Sequence, residues 1–128
     1  MRTTETSHFY LGRVTDPANY AAFLAEHYDR EDDEEALSAF YASQGETFCD
    51  HDFMETGERA PDLSLKAFFA PHSYASEWSG AVCAAAREHE LDDATLLLFI
   101  SSDQIAAPRS VKGDGFELIY IGSFDYRI

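Results

Sequence analysis

The run Thr95-Leu-Leu-Leu-Phe-Ile100 constrains the fold more than any other stretch. A strand that is apolar on both alternating sides has no face to give to water. It reads as a central strand covered on both faces. The uninterrupted apolar part, Leu96 to Ile100, is far shorter than the roughly 20 residues a membrane-spanning helix needs. Two partners are visible. His8 to Val14 is dense in β-formers and reads as a buried strand. In Phe116 to Tyr126, Phe116, Leu118 and Tyr120 alternate with Glu117, Ile119 and Ile121, and Gly122 marks a candidate bulge. The last two strands follow one another directly, which favours an antiparallel pair. The expectation is a single α+β domain over residues 1–128, with strands near 8–14, 95–101 and 116–126. Their sheet is mixed or mainly antiparallel and packs with three or four helices.

The helices follow from spacing. Asp16-Pro17 supplies an N-cap and a proline at the first helical position. Tyr20, Phe23, Leu24, His27 and Tyr28 then fall on one face, which predicts a helix running to about Tyr28. Leu37, Phe40 and Tyr41 give the inner face of a short second helix, with Gly45 placed to end it in the left-handed conformation. Thr47-Phe48-Cys49 reads as a short strand. Asp50 to Gly57 reads as a turn of helix capped by Asp50 and anchored by Phe53 and Met54. Glu58 to Asp62 is a loop, and Leu63 to Ala70 fits either a strand or a short helix. Ser76 is placed to cap a helix from Glu77 to Glu90 whose inner face is Trp78, Ala81, Val82, Ala85 and Ala86. Ser101 to Gly115 reads as a long connection. Tyr20, Phe23, Phe40 and Trp78 lie on apolar helix faces and belong to the core.

Charge is the other strong signal. The chain has 24 acidic and nine basic residues, a formal net charge of −15. Such a charge disfavours nucleic acid and anionic membranes as partners, and it steers a cationic partner into contact. Solubility alone would also explain it. The charge is not uniform, however. Between Glu26 and Glu58 stand twelve acids and one base, Arg30. In His27 to Glu35, Asp29 and Glu31 to Asp33 fall at or beyond the C-terminal end of the first helix, where negative charge opposes the macrodipole. Glu34 and Glu35 have an ordinary alternative, as the favourable acidic start of the second helix.

Catalytic and metal chemistries were tested against this run and the rest of the chain. A calcium loop counted from Asp29 requires glycine at its sixth position and glutamate at its twelfth, where the chain has Glu34 and Phe40. Cys49, His51 and Asp52 are potential ligands, but no CxxC or HxxxH pair accompanies them. There is no GxSxG elbow and no phosphate-binding glycine loop. No metal or cofactor is expected, and no enzymatic activity. Cys49 and Cys83 read as reduced thiols, and no apolar segment follows the N-terminal methionine, so a cytoplasmic protein is expected. The candidate interaction residues are acids with tyrosines among them, because a tyrosine offers apolar area and a hydroxyl together. They are Tyr28, Asp29, Glu31, Asp32, Asp33, Glu35, Tyr41, Asp50, Asp52, Glu55 and Tyr74.

Several stretches taken together carry a resemblance. They are His8-Phe-Tyr-Leu-Gly12, Tyr28-Asp29 with the acidic run, Leu37-Ser-Ala-Phe40, Gln44-Gly45, Phe48-Cys-Asp-His-Asp-Phe53 and His72-Ser-Tyr74. With them the chain resembles the immunity protein 22 family of bacterial polymorphic-toxin systems, from about residue 8 to the final strand. Two positions depart from the family pattern: Tyr10 stands in place of tryptophan, and His51 in place of an acid. The resemblance implies an α+β immunity protein; a monomer or weak dimer in isolation is expected. It would bind a cognate toxin domain, basic and often a nuclease, and occlude its groove with the acidic surface. The sequence also accommodates two other readings: an acidic regulatory module or nucleic-acid mimic without a toxin partner, and a small carboxylate-dependent hydrolase.

Overall fold

A computed structural model describes residues 3–29, 31 and 34–128. Asp32 and Asp33, two of the candidate residues, lie outside the described residues, as does Arg30. The elements are β1 (Thr4–Val14), α1 (Pro17–Leu24), α2 (Ala39–Ser43), β2 (Met54–Glu58), α3 (Leu65–Phe69), α4 (Ala75–Glu88), β3 (Leu96–Ser101), β4 (Val111–Gly113) and β5 (Phe116–Arg127). Short 3-10 turns lie at His51–Phe53 and Ser102–Gln104.

The five strands form one open sheet in the order β2-β3-β1-β5-β4, and every pairing is antiparallel. β1 is central and β3 lies next to it, buried along its whole length. The apolar run is therefore covered on both faces, as its composition requires. On one face Phe9, Leu11, Leu97 and Phe99 pack under α3 and α4 through Phe69, Trp78, Val82 and Ala86. On the other, Tyr10, Leu96, Leu98, Ile100 and Leu118 pack under α1 and α2 through Tyr20, Phe40 and Tyr41. Phe9 sits at the centre of the first core, stacked on Phe99 at 4.8 Å and tilted against Trp78 at 4.9 Å. Trp78 is fully buried, and its indole N–H donates to the Ser73 carbonyl at 2.8 Å.

Register explains the glycine in β5. Phe9 pairs with Gly122 and Tyr10 with Tyr120, so one residue is extra on β5. Before the bulge, Ile119 and Ile121 face the α3–α4 core; after it, Phe124 and Tyr126 do. The bulge switches the inward parity of the strand, and Gly122 takes a φ of +126° that a side chain would resist.

Local sequence rules account for several boundaries. Asp16 caps α1 by accepting from the Asn19 N–H at 3.2 Å, and Gly45 follows α2 with φ +78°. Other expectations are corrected. α1 stops at Leu24, and Ala25 turns extended at ψ 134°, so His27 and Tyr28 are exposed and are not on a helix face. Nothing basic in its last turn supports a longer helix against the acids that follow. α2 starts only at Ala39, capped by Ser38, with no acid in its first turn, so Glu34 and Glu35 do not start that helix. Phe48 belongs to no strand. Residues 54–58 form an edge strand, whereas the sequence reading ended a helical turn there. Phe53 is 55% exposed and anchors nothing. α4 begins at Ala75, with Tyr74 at the cap position and Ser76 already helical.

The connection from Ser101 to Gly115 contains β4 and is docked along its length. The Gln104 side-chain carbonyl accepts from Asp50 N–H at 2.7 Å, and the Ile105 carbonyl lies 3.0 Å from His8 Nε2. Buried Gln44 accepts from Tyr10 Oη–H and Arg109 N–H at 2.7 and 2.8 Å and donates to the Arg109 carbonyl at 2.9 Å. The stretches His8–Gly12, Gln44-Gly45 and Phe48–Phe53, which carry the family resemblance, are thus largely a structural clasp on this connection.

Candidate functional site

Glu26 joins the two acidic segments. Its carboxylate accepts from Tyr41 Oη–H at 2.6 Å and Tyr28 Oη–H at 2.9 Å, and it lies 3.0 Å from His51 Nδ1. Burial alone would raise its pKa. The two tyrosine hydroxyls and His51 outweigh that and hold the carboxyl below the ordinary glutamate range. Burial and the same Glu26 carboxylate push the Tyr41 hydroxyl in the opposite direction, upward. His51 is also 3.6 Å from Asp52. Contacts therefore run from Tyr28 through Glu26 and His51 to Asp52, and the segment after α1 lies against the Asp50–Asp52 turn.

Beyond Asp52 the chain enters β2 at one end of the sheet. This is the end where β1 and β2 begin and β3 and β5 finish. A cavity of about 350 Å3 opens there, with Glu5, Asp52, Glu55 and Asp103 among its walls and Phe99 and Tyr126 at its base. Phe53 and Tyr74 also line it, each more than half exposed. Among the described residues, no lysine or arginine lines it.

Tyr74 is held in an uncommon conformation. Its φ of 58° and ψ of 22° lie in the left-handed region, which for a bulky residue costs about 1–2 kcal/mol. The two residues before it are held by one carboxylate. Glu55 Oε2 accepts from Ser73 N–H at 3.0 Å and lies 2.6 Å from His72 Nδ1. The ring stacks on Tyr126 at 5.9 Å. Burial would raise the Glu55 carboxyl, and the bonds from Ser73 and His72 reverse this, leaving its pKa lowered. Gly57 leaves room for His72, since a Cβ there would stand 2.6 Å from the imidazole.

The candidate residues separate into distinct environments. Tyr28 and Tyr74 are 71% and 52% exposed among acids. Asp29, Glu31, Glu35 and Asp52 are exposed. Asp50 is partly buried and caps the 3-10 turn by accepting from Asp52 N–H at 3.0 Å. Glu55 is committed to His72 and Ser73. Tyr41 is corrected outright: it is 1% exposed and a core residue, so its ring offers nothing to a partner. Sequence reasoning missed Glu26 as the joint, Phe48 and Phe53 as exposed aromatics, and Glu5 and Asp103 as cavity walls. Glu5 and Asp103 lie far from the acidic segment in sequence, and only the strand order brings them in.

Neither cysteine suggests chemistry. Cys49 is buried and free, its thiol pushed up to about 12 by burial and by Glu46 and Glu26. Cys83, also free, packs against the α3–α4 core. Among the described residues no three His, Cys, Asp or Glu side chains are grouped to hold a metal ion. No helix among them is long and apolar enough to cross a membrane.

A family model described as Immunity protein 22 matches residues 8–127. The chain belongs to the Immunity protein 22 family. Comparison with curated proteins and with solved structures returns no match in either case. Membership of the Immunity protein 22 family gives a role in toxin immunity and implies a toxin as partner. It covers both acidic segments and all but the first strand residues of the cavity end.

Proposed function

We propose that this protein neutralises a cognate toxin domain, a nuclease in the first instance, by covering a basic groove with its acidic and aromatic face. The observation that carries this reading is the contact chain Tyr28–Glu26–His51–Asp52, which unites two acidic segments into one face. A nuclease presents cationic side chains to phosphates. An acidic inhibitor gains association rate by long-range attraction and blocks substrate by occupancy, with no chemical step. Exposed Tyr28, Phe48 and Phe53 supply apolar anchors of the kind that dominate interface energetics. His51, the departure from the family pattern, lies inside this face and is a candidate determinant of partner choice.

Co-expression with the cognate toxin tests the proposal. Cells carrying both genes are expected to grow where cells with the toxin alone die. Death in the presence of abundant, folded protein would sink the proposal for that toxin.

A further inference from the structure

We infer that the outer edge of β2 receives an extended strand of the partner protein, paired antiparallel about Thr56, with a lysine or arginine opposite Glu58. The inference rests on the proposed binding of a basic toxin domain and names how that partner is held. Backbone geometry defines the edge. Arg59 N–H donates to the Thr95 carbonyl at 2.7 Å, which makes the adjoining Glu58–Leu96 pair a non-hydrogen-bonded pair of the β2–β3 ladder. Backbone groups alternate along a strand. Glu55 and Gly57 therefore bond to β3, while Met54, Thr56 and Glu58 turn their N–H and C=O groups away from it. Met54 N–H is taken by the His51 carbonyl. Among the described residues, no hydrogen bond reaches the N–H and C=O of Thr56 and Glu58 or the carbonyl of Met54, and Thr56 and Glu58 are exposed.

The two edges of the sheet differ. β4 is three residues long and carries exposed Lys112 at its centre, a common way of closing an edge to strand addition. β2 is five residues long, has no lysine, proline or bulge, and places a threonine, a good β-former, at its middle. An antiparallel strand centred on Thr56 makes two bonds with Thr56, two with Glu58 and one with the Met54 carbonyl. Such pairing supplies affinity, and side chains choose the partner. Thr56 and Glu58 pair with Leu98 and Leu96 and so point to the α1–α2 side of the sheet. The Glu58 carboxylate has no ion pair among the described residues. The neighbouring base, Arg59, is turned to the carbonyls of Leu63, Asp92 and Ala94. A residue facing Glu58 on the added strand stands about 5 Å away, where a base is favoured and an acid disfavoured. A second copy of this chain is the poorer occupant. Pairing two β2 strands about Thr56 sets Glu58 against Met54 and joins two chains of net charge −15.

The test uses the whole protein labelled with 15N. In the free protein the Thr56 and Glu58 amides should exchange faster than those of Glu55 and Gly57, which bond to β3. The protein is then titrated with a disulfide-closed β-hairpin peptide of alternating lysine and valine, and with its glutamate counterpart. The lysine hairpin should bind saturably and slow the Thr56 and Glu58 amides by about tenfold or more, and the glutamate hairpin should not. Thr56→Pro removes the outward N–H and spares the bonds to β3. Its urea transition should stay near that of wild type while its affinity for the lysine hairpin falls about tenfold. Thr56→Val keeps the N–H and should bind as wild type does. Thr56 and Glu58 amides already protected in the free protein, no slowing by the lysine hairpin, equal binding of the two hairpins, or full binding by folded Thr56→Pro would each overturn the inference. If Thr56→Pro does not fold, exchange in the wild-type protein decides. With the cognate toxin, Thr56→Pro should lose protection in co-expression. Full protection by the folded variant would overturn the role of this edge and leave the proposed function standing. Failure of the wild-type chain to protect would instead count against the proposed function, and the hairpin titration would still decide the edge.

Discussion

At the scale of single residues, Glu26 is the most consequential side chain the sequence did not single out. Its role comes from what converges on it: two tyrosine hydroxyls and a histidine, drawn from three segments. Replacing it with glutamine keeps the shape but removes the charge that these donors share. Glu26→Gln should cost about 1–3 kcal/mol, the range for charged hydrogen bonds, measured by urea unfolding. The pH dependence has a defined sign. The Glu26 and Glu55 carboxyls are held below the ordinary glutamate value of about 4.5 in the folded protein. The stability they contribute is fully present above that value and is lost as pH falls through the lower folded pKa values. Unfolding free energy should therefore decline below about pH 4.5, and Glu26→Gln should flatten that decline; equal slopes in the two proteins would contradict the assignment. Tyrosines illustrate how far residue type alone can go. Tyr28, Tyr41 and Tyr74 all border acids in sequence, yet Tyr41 is buried and the other two are exposed. Composition cannot separate them, because the hydroxyl of a buried tyrosine and that of an exposed one both seek a carboxylate.

At the scale of elements, β1, β3 and β5 were legible because each carries apolar side chains on a buried face. The edge strands β2 and β4 were not. Met-Glu-Thr-Gly-Glu lacks apolar alternation, and an edge strand with one neighbour does not need it. The first helix was overextended for the opposite reason. His27 and Tyr28 continue the helical spacing, but the acids after them and the absence of a basic last turn give no support to a longer helix. The 101–115 connection looked free in sequence because its attachments are single polar contacts from distant segments. Gln44 is the central one. Gln44→Leu would strand the buried Tyr10 Oη–H, release the part-buried Arg109 backbone groups, and should destabilise the fold by about 1–3 kcal/mol. A thermal or urea transition unchanged from wild type would contradict the clasp. Gly12 belongs to the same scale: an added Cβ would stand 1.8 Å from the Glu117 carbonyl oxygen, so β1 and β5 could not keep their spacing. Gly12→Ala should lose several kcal/mol, among the largest effects for one methyl group.

At the scale of the molecule, the sequence showed the fold class and the acidic bias but not how the acidic segments meet. Glu26 meets His51, and antiparallel order brings Glu5 and Asp103 to the same cavity as Asp52. Those are consequences of topology, which no local pattern encodes. A net charge of −15 acts over the whole surface and should appear mainly in association rate. Reversing Asp32, Asp33 and Glu35 to lysine should slow binding at low salt and reduce its salt dependence, leaving dissociation nearly unchanged. Unchanged association kinetics would place the interface away from the acidic run.

The proposed mode of action is capture of a basic toxin domain by the acidic side of the molecule. It is tested most directly by stopped-flow association of the purified protein with its cognate toxin domain, measured across ionic strength. The expected result is a one-to-one complex whose association rate falls steeply as salt rises. A complex that forms at a salt-independent rate, or no complex at any salt, would contradict it.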